Sequence, residues 1–232
     1  MRLDKFLCTC TGLTRIQAKR VIGKGHVKVD GVVEKDQKVK INDSHEVVYD
    51  GRRLRFSGPR YIMLNKPDGA VCTSLDDDYR SIFDLFDIER VEDLMIAGRL
   101  DVDTTGLVLI TDDGKWSHQI TSPKKHCRKR YYAVLAEPVT DDVAQQFSEG
   151  VMLKGEKQPT LPAELEILSP KEVLLTIHEG KYHQVKRMFG AVNNRVVELH
   201  REQVGEILLD EELAPGEWRY LTQQEVDSVN HS

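Results

Sequence analysis

The chain has 232 residues, of which 40% are hydrophobic and 31% are charged, a composition that suits one substantial core with a small additional module. Its apolar runs are far shorter than the roughly 20 residues that cross a bilayer. The N-terminus lacks an apolar signal core, so we expect a cytoplasmic protein without a membrane anchor. The net charge of −5 argues, taken alone, against a protein that coats nucleic acid.

Charge is distributed unevenly along the chain. Residues 1–56 contain 13 basic and 7 acidic residues, a net charge of +6, whereas residues 57–232 carry a net charge of −11. The sign changes at Ser57-Gly58-Pro59, a turn-forming tripeptide. The sequence therefore predicts a small basic domain over residues 1–56, a linker over 57–60 and a larger acidic domain over 61–232.

The basic domain is predicted to contain two helices followed by a β-hairpin. Three apolar residues near the N-terminus have the spacing i, i+3, i+4 of one helical face: Leu3, Phe6 and Leu7. Thr14 and Gln17 have the spacing of a capping box, which predicts a second helix that ends at Gly23. This second helix carries three basic residues outside its apolar stripe: Arg15, Lys19 and Arg20. Asp30-Gly31 is typical of a hairpin turn between two short strands.

Strands and helices alternate in the acidic domain. Apolar runs predict strands over residues 61–64, 107–110, 131–135, 163–167 and 173–177. Helices are predicted from Thr140 to Gly150, after Gly180 and from Thr222. This order favours an α+β domain built on a mixed, mainly antiparallel sheet.

Residues 98–114, GRLDVDTTGLVLITDDG, contain the densest group of polar and charged side chains. Asp101 precedes a glycine turn and a buried strand, a place where a carboxylate becomes partly desolvated and can act as a nucleophile or base. The same pattern also fits an ordinary aspartate-rich turn in which Asp101 or Asp103 caps the backbone. Both interpretations remain open on this segment alone.

Four segments, in chain order, resemble motifs of the RNA pseudouridine synthases. Residues 65–69, NKPDG, resemble the leading motif of that family, and residues 98–114 resemble its central motif. Lys129-Arg-Tyr131 resembles its Lys-x-Tyr strand, and residues 179–188, EGKYHQVKRM, resemble its third motif in the form used by the RsuA branch. The basic domain resembles an S4 RNA-binding domain. The resemblance covers nearly the whole chain and implies an S4-like module followed by a larger α+β catalytic domain with the pseudouridine synthase fold.

This resemblance implies that the protein isomerises a specific uridine of small-subunit ribosomal RNA after the base flips out of its stack. Asp101 would attack C1′ or take the 2′ hydrogen, and Lys186 would keep that carboxylate charged. Tyr131 would stack on the flipped base. The conversion adds and removes no atom overall, so we expect no metal, nucleotide or redox cofactor. The four cysteines match no zinc-knuckle or CxxC spacing, which also argues against a metal site.

Six basic residues are candidate RNA contacts under this resemblance: Arg99, Lys129, Arg187, Arg15, Lys19 and Arg20. The first three belong to the catalytic domain, where His183 and Arg187 are expected at positions i and i+4 of the third-motif helix. The other three belong to the S4-like module, whose positive charge suits electrostatic capture of RNA. Each is also compatible with an ordinary solvated charge. We expect a monomer that acts on ribosomal RNA, either free or within a small-subunit assembly intermediate.

Two other functions compete with this interpretation. The chain also fits an S4-type RNA-binding or assembly factor whose second domain has no catalytic activity. The presence of all three candidate catalytic residues, Asp101, Tyr131 and Lys186, argues against such a loss of activity. Asp101-Val-Asp103-Thr-Thr105 also matches the DxDxT motif of haloacid-dehalogenase-like phosphatases. In those enzymes the motif follows an apolar strand, whereas here the apolar run comes after it.

Overall fold

The computed structural model describes residues 1–42, 44–54, 59–73, 78–88 and 91–230. The α-helices in these residues are α1 (Leu3–Thr11), α2 (Arg15–Gly23), α3 (Gly114–Thr121), α4 (Asp141–Glu149), α5 (Gln184–Ala191) and α6 (Gln223–Asn230). The strands are β1 (Val27–Val29), β2 (Val32–Val33), β3 (Val47–Tyr49), β4 (Arg52–Leu54), β5 (Tyr61–Lys66), β6 (Ala70–Val71), β7 (Arg80–Ser81), β8 (Met95–Ala97), β9 (Thr105–Thr111), β10 (Lys129–Leu135), β11 (Glu164–Ser169), β12 (Glu172–Ile177), β13 (Val196–Val204), β14 (Ile207–Leu208) and β15 (Trp218–Tyr220). Short 3-10 helices cover Ile82–Leu85, Val91–Asp93 and Pro123–Lys125.

The N-terminal module consists of α1 and α2 packed with a four-stranded antiparallel sheet in the order β2-β1-β3-β4. Its core is separate from the cores of the larger sheet and includes Leu3, Leu7, Ala18, Ile22, Val27 and Val47. Thr14 and Gln17 form the predicted capping box at the start of α2. Asp30 and Gly31 both have positive φ, as a tight hairpin turn requires. The predicted helices and hairpin of this module are therefore confirmed.

The larger domain is organised around one sheet with the strand order β11-β12-β10-β13-β9-β5-β15, to which β8 and β14 add short pairings with β9 and β13. The β9–β13 pair is parallel and the other pairs of this sheet are antiparallel. This arrangement confirms the predicted mixed, mainly antiparallel sheet. Among the described residues, no helix is both long and apolar enough to cross a bilayer.

The central strands β5 and β9 are buried on both faces. Ile62, Leu64, Val108 and Ile110 point into one core with α4 and α5, whereas Met63, Leu107 and Leu109 point into a second core with α3 and α6. Side chains alternate between the faces of a strand, so a strand covered on both sides requires apolar residues at successive positions. The continuous apolar runs near residues 62–64 and 107–110 follow from this requirement.

The parallel pair β9–β13 begins at a glycine that no other residue can replace without strain. Gly106 lies opposite Arg201 in the register and has φ +100°. A Cβ atom at Gly106 would lie 2.4 Å from the carbonyl oxygen of Arg201. The glycine therefore allows the start of β9, which directly follows the loop that contains Asp101, to approach β13.

Ion pairs connect the N-terminal module with the larger domain. Lys5 Nζ lies 2.6 Å from Asp210 Oδ2, which also accepts a hydrogen bond from Arg219 Nε at 2.8 Å. Further pairs between the two parts join Arg2 and Arg15 to Glu212, and Lys40 to Glu217. Of the predicted linker, Ser57 and Gly58 lie outside the described residues. Arg60 is already anchored to the larger domain through Asp112 at 2.7 Å, and the predicted domain limits stay a prediction.

Candidate active site

An open cavity of about 430 Å³ lies where several segments of the larger domain meet. These segments include the loop before β9, the start of β10, the middle of β13 and the stretch that leads into α5. Five of the predicted site residues line this cavity: Arg99, Asp101, Lys129, Tyr131 and Lys186. The fold thus brings residues from distant parts of the sequence into one cavity.

The Asp101 carboxylate lies between two basic side chains. Its Oδ1 is 3.2 Å from His183 Nε2, and its Oδ2 is 3.3 Å from Lys186 Nζ. His183 is the N-cap residue of α5 and Lys186 lies in the first turn, where the helix dipole also favours a negative charge. Since about 29% of the Asp101 side chain is exposed, the carboxylate is partly desolvated but accessible from the cavity.

Lys186 also pairs with Asp103, whose Oδ1 lies 2.5 Å from the ammonium group. Burial disfavours the charged amine, but the hydrogen bond to Asp103 and the charge of Asp101 outweigh burial and raise the pKa of Lys186. The hydrogen bond from Lys186 in turn lowers the pKa of Asp103. Lys186 is therefore a permanent cation beside Asp101 at neutral pH.

The leading NKPDG segment supports the loop that contains Asp101. Lys66 is fully buried, and its Nζ donates hydrogen bonds to the carbonyl oxygens of Pro67, Val102 and Thr104 at 2.8 to 3.0 Å. The backbone N–H of Gly69 donates to the carbonyl of Val102 at 3.0 Å. Burial lowers the pKa of Lys66. The three carbonyl oxygens accept hydrogen bonds from its amine and offset the cost of burying it. The segment thereby fixes the part of the loop that follows Asp101.

Tyr131 and Lys129 point to the same face of β10, as their spacing predicts. Both side chains are buried, whereas Tyr132 points to the opposite face and donates a hydrogen bond to Glu172. Lys129 Nζ donates to the carbonyls of Cys127 at 2.8 Å and Ile120 at 3.4 Å, and burial lowers its pKa. The structure therefore brings Lys129 to the cavity wall, with its ammonium directed at the backbone.

Arg201 is a cavity residue that the sequence patterns did not indicate. Its side chain is almost fully buried and donates hydrogen bonds to the carbonyls of Leu107 at 2.8 Å and Gly98 at 2.7 Å. Its Nη1 lies 3.5 Å from the hydroxyl of Tyr131. Arg201 thus connects β13, β9 and the loop before Asp101 with the buried tyrosine. A strand prediction for residues 196–204, with alternate residues facing inward, would have indicated it.

Four predicted RNA contacts lie elsewhere. Lys19 and Arg20 are exposed on α2, whereas Arg15 on the same helix pairs with Glu212 of the larger domain. Arg187 donates hydrogen bonds to Glu156 and to the carbonyls of Lys154 and Tyr182, and it lines a separate depression.

The prediction that His183 and Arg187 lie at positions i and i+4 of one helix is wrong for His183. His183 precedes α5 and has the left-handed φ of +46°, so its ring turns toward Asp101 while Arg187 turns toward Glu156. A resemblance to a helical motif could not reveal this left-handed residue. Among the described residues, no group of three or more His, Cys, Asp or Glu side chains is placed to hold a metal ion.

Comparisons with known proteins agree with the motifs. Residues 60–191 match the family model of RNA pseudouridylate synthase, and residues 1–47 match that of the S4 domain. The chain is 55% identical to ribosomal small subunit pseudouridine synthase A of Vibrio cholerae, over 99% of both chains. It is 54% identical to the protein of the same name from Escherichia coli (strain K12), over 99% of this chain and 100% of that one.

A solved structure gives the same result. A crystal structure of a pseudouridylate synthase with 50% sequence identity superposes with a TM-score of 0.72 and covers 99% of both chains. The family that the ordered motifs predict is confirmed: this chain belongs to the RNA pseudouridylate synthases and carries an N-terminal S4 domain.

Proposed function

We propose that this protein isomerises a specific uridine of small-subunit ribosomal RNA to pseudouridine, with Asp101 as the catalytic carboxylate. Relatives named ribosomal small subunit pseudouridine synthase A match this chain at about 55% identity over almost their full length. The observation that carries the assignment of Asp101 is its place in the cavity, within 3.3 Å of both His183 and Lys186. A cation beside a partly buried carboxylate keeps it ionised, and both routes for this reaction begin with an ionised carboxylate.

The reaction breaks the N1–C1′ bond of uridine and joins C5 of the same uracil to C1′. In one route, Asp101 attacks C1′ while the N1–C1′ electron pair leaves with the uracil; C5 then attacks C1′ and the carboxylate departs. In the other route, Asp101 takes the 2′ hydrogen as a proton, the C2′–H electron pair forms a C1′=C2′ double bond, and the N1–C1′ electron pair leaves with the uracil. C5 then adds to C1′ as Asp101 returns the proton to C2′. In both routes the uracil turns within the cavity before C5 bonds. C5 finally loses its proton to a base and N1 gains a proton. Atoms balance without a co-reactant.

Tyr131 is the residue we assign to support the uracil while it turns. Flipping a base costs a few kcal/mol in a duplex and less in a loop, and stacking on an aromatic ring returns about 1–3 kcal/mol. The ring of Tyr131 is buried in the cavity wall, with the guanidinium carbon of Arg201 5.9 Å from its centroid. A ring fixed in this way offers one face to the base without losing side-chain freedom on binding.

RNA binding is assigned to residues with free cationic groups. Arg99 is exposed beside Asp101, and within the described part of the chain it forms no hydrogen bond or ion pair, so it suits a phosphate or the gap left by the flipped base. On α2, the exposed residues Ile16, Lys19 and Arg20 share one helical face and suit contact with RNA. Arg15 and Arg187 already have carboxylate partners, which favours structural roles for both.

Mapping pseudouridine in ribosomal RNA tests this function. We expect cells without the gene to lack pseudouridine at one position of the small-subunit RNA, and the full-length protein to restore it. An unchanged pseudouridine pattern in the deletion strain would contradict the proposal.

We further propose that the protein acts as a monomer in the cytoplasm, on ribosomal RNA either free or in a small-subunit assembly intermediate. Assays of the purified protein with each form of the RNA distinguish the two substrates.

A further inference from the structure

Tyr182 is an exposed aromatic residue at the rim of the cavity. It lines the cavity and yet is 75% exposed, more than any other aromatic residue in the part of the chain that the structure describes. Its ring stacks on the imidazole of His183, with 3.8 Å between the ring centroids and 21° between the planes. With one face against His183, the exposed area of the tyrosine lies on its other face and its edges.

Hydrogen bonds hold the backbone around Tyr182 in place. Arg187 Nη1 donates to the carbonyl of Tyr182 at 2.9 Å, and the N–H of Lys181 donates to Gln184 Oε1 at 2.8 Å. Gln184 is itself held by Glu179, which accepts from its Nε2 at 2.9 Å. An exposed ring on a fixed backbone loses little freedom when it binds, so stacking on it yields more net affinity than stacking on a mobile ring.

The stacked rings connect the rim of the cavity with the catalytic carboxylate. His183 contacts Asp101 through Nε2 and contacts Tyr182 through its ring face. For the reaction, C1′ of the target uridine must lie against Asp101. The neighbouring nucleotides are joined to it by a single phosphate each, so their bases stay close to the cavity mouth, and Tyr182 is part of the rim there.

We propose that the outer face of Tyr182 stacks against the base of a nucleotide that flanks the target uridine. Flipping removes the stacking between the uridine and its neighbours, and Tyr182 would replace it for the neighbour that stays outside the cavity. Any base has a π-face, so this contact adds affinity without selecting a base. The role belongs to substrate positioning, and it rests on the proposed function.

Substitutions at Tyr182 test the stacking directly. With small-subunit ribosomal RNA from cells lacking the gene as substrate, we expect Tyr182→Ala and Tyr182→Leu to raise KM about tenfold or more, because base stacking is lost. These two substitutions should raise KM, whereas kcat should stay close to that of the unaltered protein. Tyr182→Phe keeps the ring and removes only the hydroxyl, so it should rescue most of the affinity. Tyr182→Leu matches the apolar volume more closely than Ala and isolates the aromatic face.

An RNA variant provides a second, independent measurement. An abasic nucleotide beside the target uridine should raise KM for the unaltered protein, but should add little to the KM of Tyr182→Ala. An unchanged KM for Tyr182→Ala, or equal losses for Phe and Ala, would overturn the stacking role; the latter would assign the contact to the hydroxyl. If the unaltered protein forms no pseudouridine in this RNA, either free or within a small-subunit assembly intermediate, the proposed function fails instead, so the two failures are distinguishable.

Discussion

Asp101 has two basic partners, Lys186 and His183. Lys186 is raised in pKa by Asp103 and Asp101 and stays protonated at neutral pH, whereas His183 is a cation only when its imidazole is protonated. The lysine is therefore the partner that supplies a permanent positive charge beside Asp101. His183 has a second task, because its ring also supports Tyr182.

Replacement of Lys186 tests this assignment. We expect Lys186→Met to lower kcat about a hundredfold or more, because a preorganised charge beside the reacting group is lost. Lys186→Arg keeps the charge and should retain much of the rate, so it serves as the matched control. The measurement is the single-turnover rate of pseudouridine formation at saturating protein. Similar rates for Lys186→Met and the unaltered protein would show that Asp101 needs no cation from this residue.

At the scale of elements, strands buried on both faces were the easiest to predict. The strands β5 and β9 contain continuous apolar runs, and the helices α2, α4 and α6 start at recognisable caps. The strand β10, in which buried and half-buried residues alternate, was also predicted from its apolar run. The strand β13 was missed because its sequence, VVELHREQV, mixes buried and charged residues. Its burial depends on partners that lie far away in sequence, β10 and β9, which local patterns do not reveal.

The candidate site was also predicted only in part, because local sequence patterns do not reveal contacts between distant segments. Asp101, Tyr131 and Lys186 each lie in a short sequence motif of the family. The resemblance to these motifs was therefore sufficient to identify them. Arg201 acts through contacts with three other segments, and His183 acts through a left-handed backbone conformation. Neither property is visible in a short segment.

Gly106 permits a prediction about the junction of β9 and β13. Gly106→Ala should destabilise the protein by well over the ~1–2 kcal/mol of a left-handed backbone alone, because its Cβ meets the Arg201 backbone at 2.4 Å. Gly155→Ala is the matched control, since Gly155 has φ +86° and a Cβ atom there would have no heavy-atom neighbour within 4 Å. Denaturant unfolding measures both. Equal losses would mean that the close approach between the two strands is not required.

At the scale of the whole molecule, the net charge of −5 is the sum of a basic N-terminal module and an acidic larger domain. The basic N-terminal module presents Lys19 and Arg20 to solvent, while several of its other cations pair with carboxylates of the larger domain. The acidic residues Asp210, Glu212 and Glu217 thus connect the two parts. Opposite net charges hold the module against the larger domain, and the exposed Lys19 and Arg20 are the cations that we propose for RNA binding.

This connection makes stability depend on pH. Burial alone would raise the pKa of Asp210, but hydrogen bonds from Lys5 and Arg219 outweigh it and hold that pKa far below the ordinary value. A carboxyl whose pKa is depressed on folding stabilises the protein above its unfolded pKa of about 4 and loses that contribution as pH falls below it. We therefore expect the free energy of unfolding to decrease as pH falls from about 5 toward 2.

Asp210→Asn tests the origin of this pH dependence. At pH 7 it should lower the free energy of unfolding by about 3 kcal/mol, since Lys5 and Arg219 lose a mostly buried partner. Between pH 5 and pH 2 its stability should fall less than that of the unaltered protein. Glu211→Gln, at the exposed neighbouring position, is the control. Parallel pH curves for Asp210→Asn and the unaltered protein would contradict the role of this carboxylate.

The rate of pseudouridine formation by Asp101→Asn is the most direct test of the proposed chemistry. An amide is isosteric with the carboxylate but cannot attack C1′ or accept the 2′ hydrogen, so we expect no detectable product in single-turnover assays, while RNA affinity stays within about tenfold. Asp103→Asn, which removes the other carboxylate that Lys186 contacts, should retain activity. Formation of pseudouridine by Asp101→Asn at the rate of the unaltered protein would contradict the assignment of Asp101.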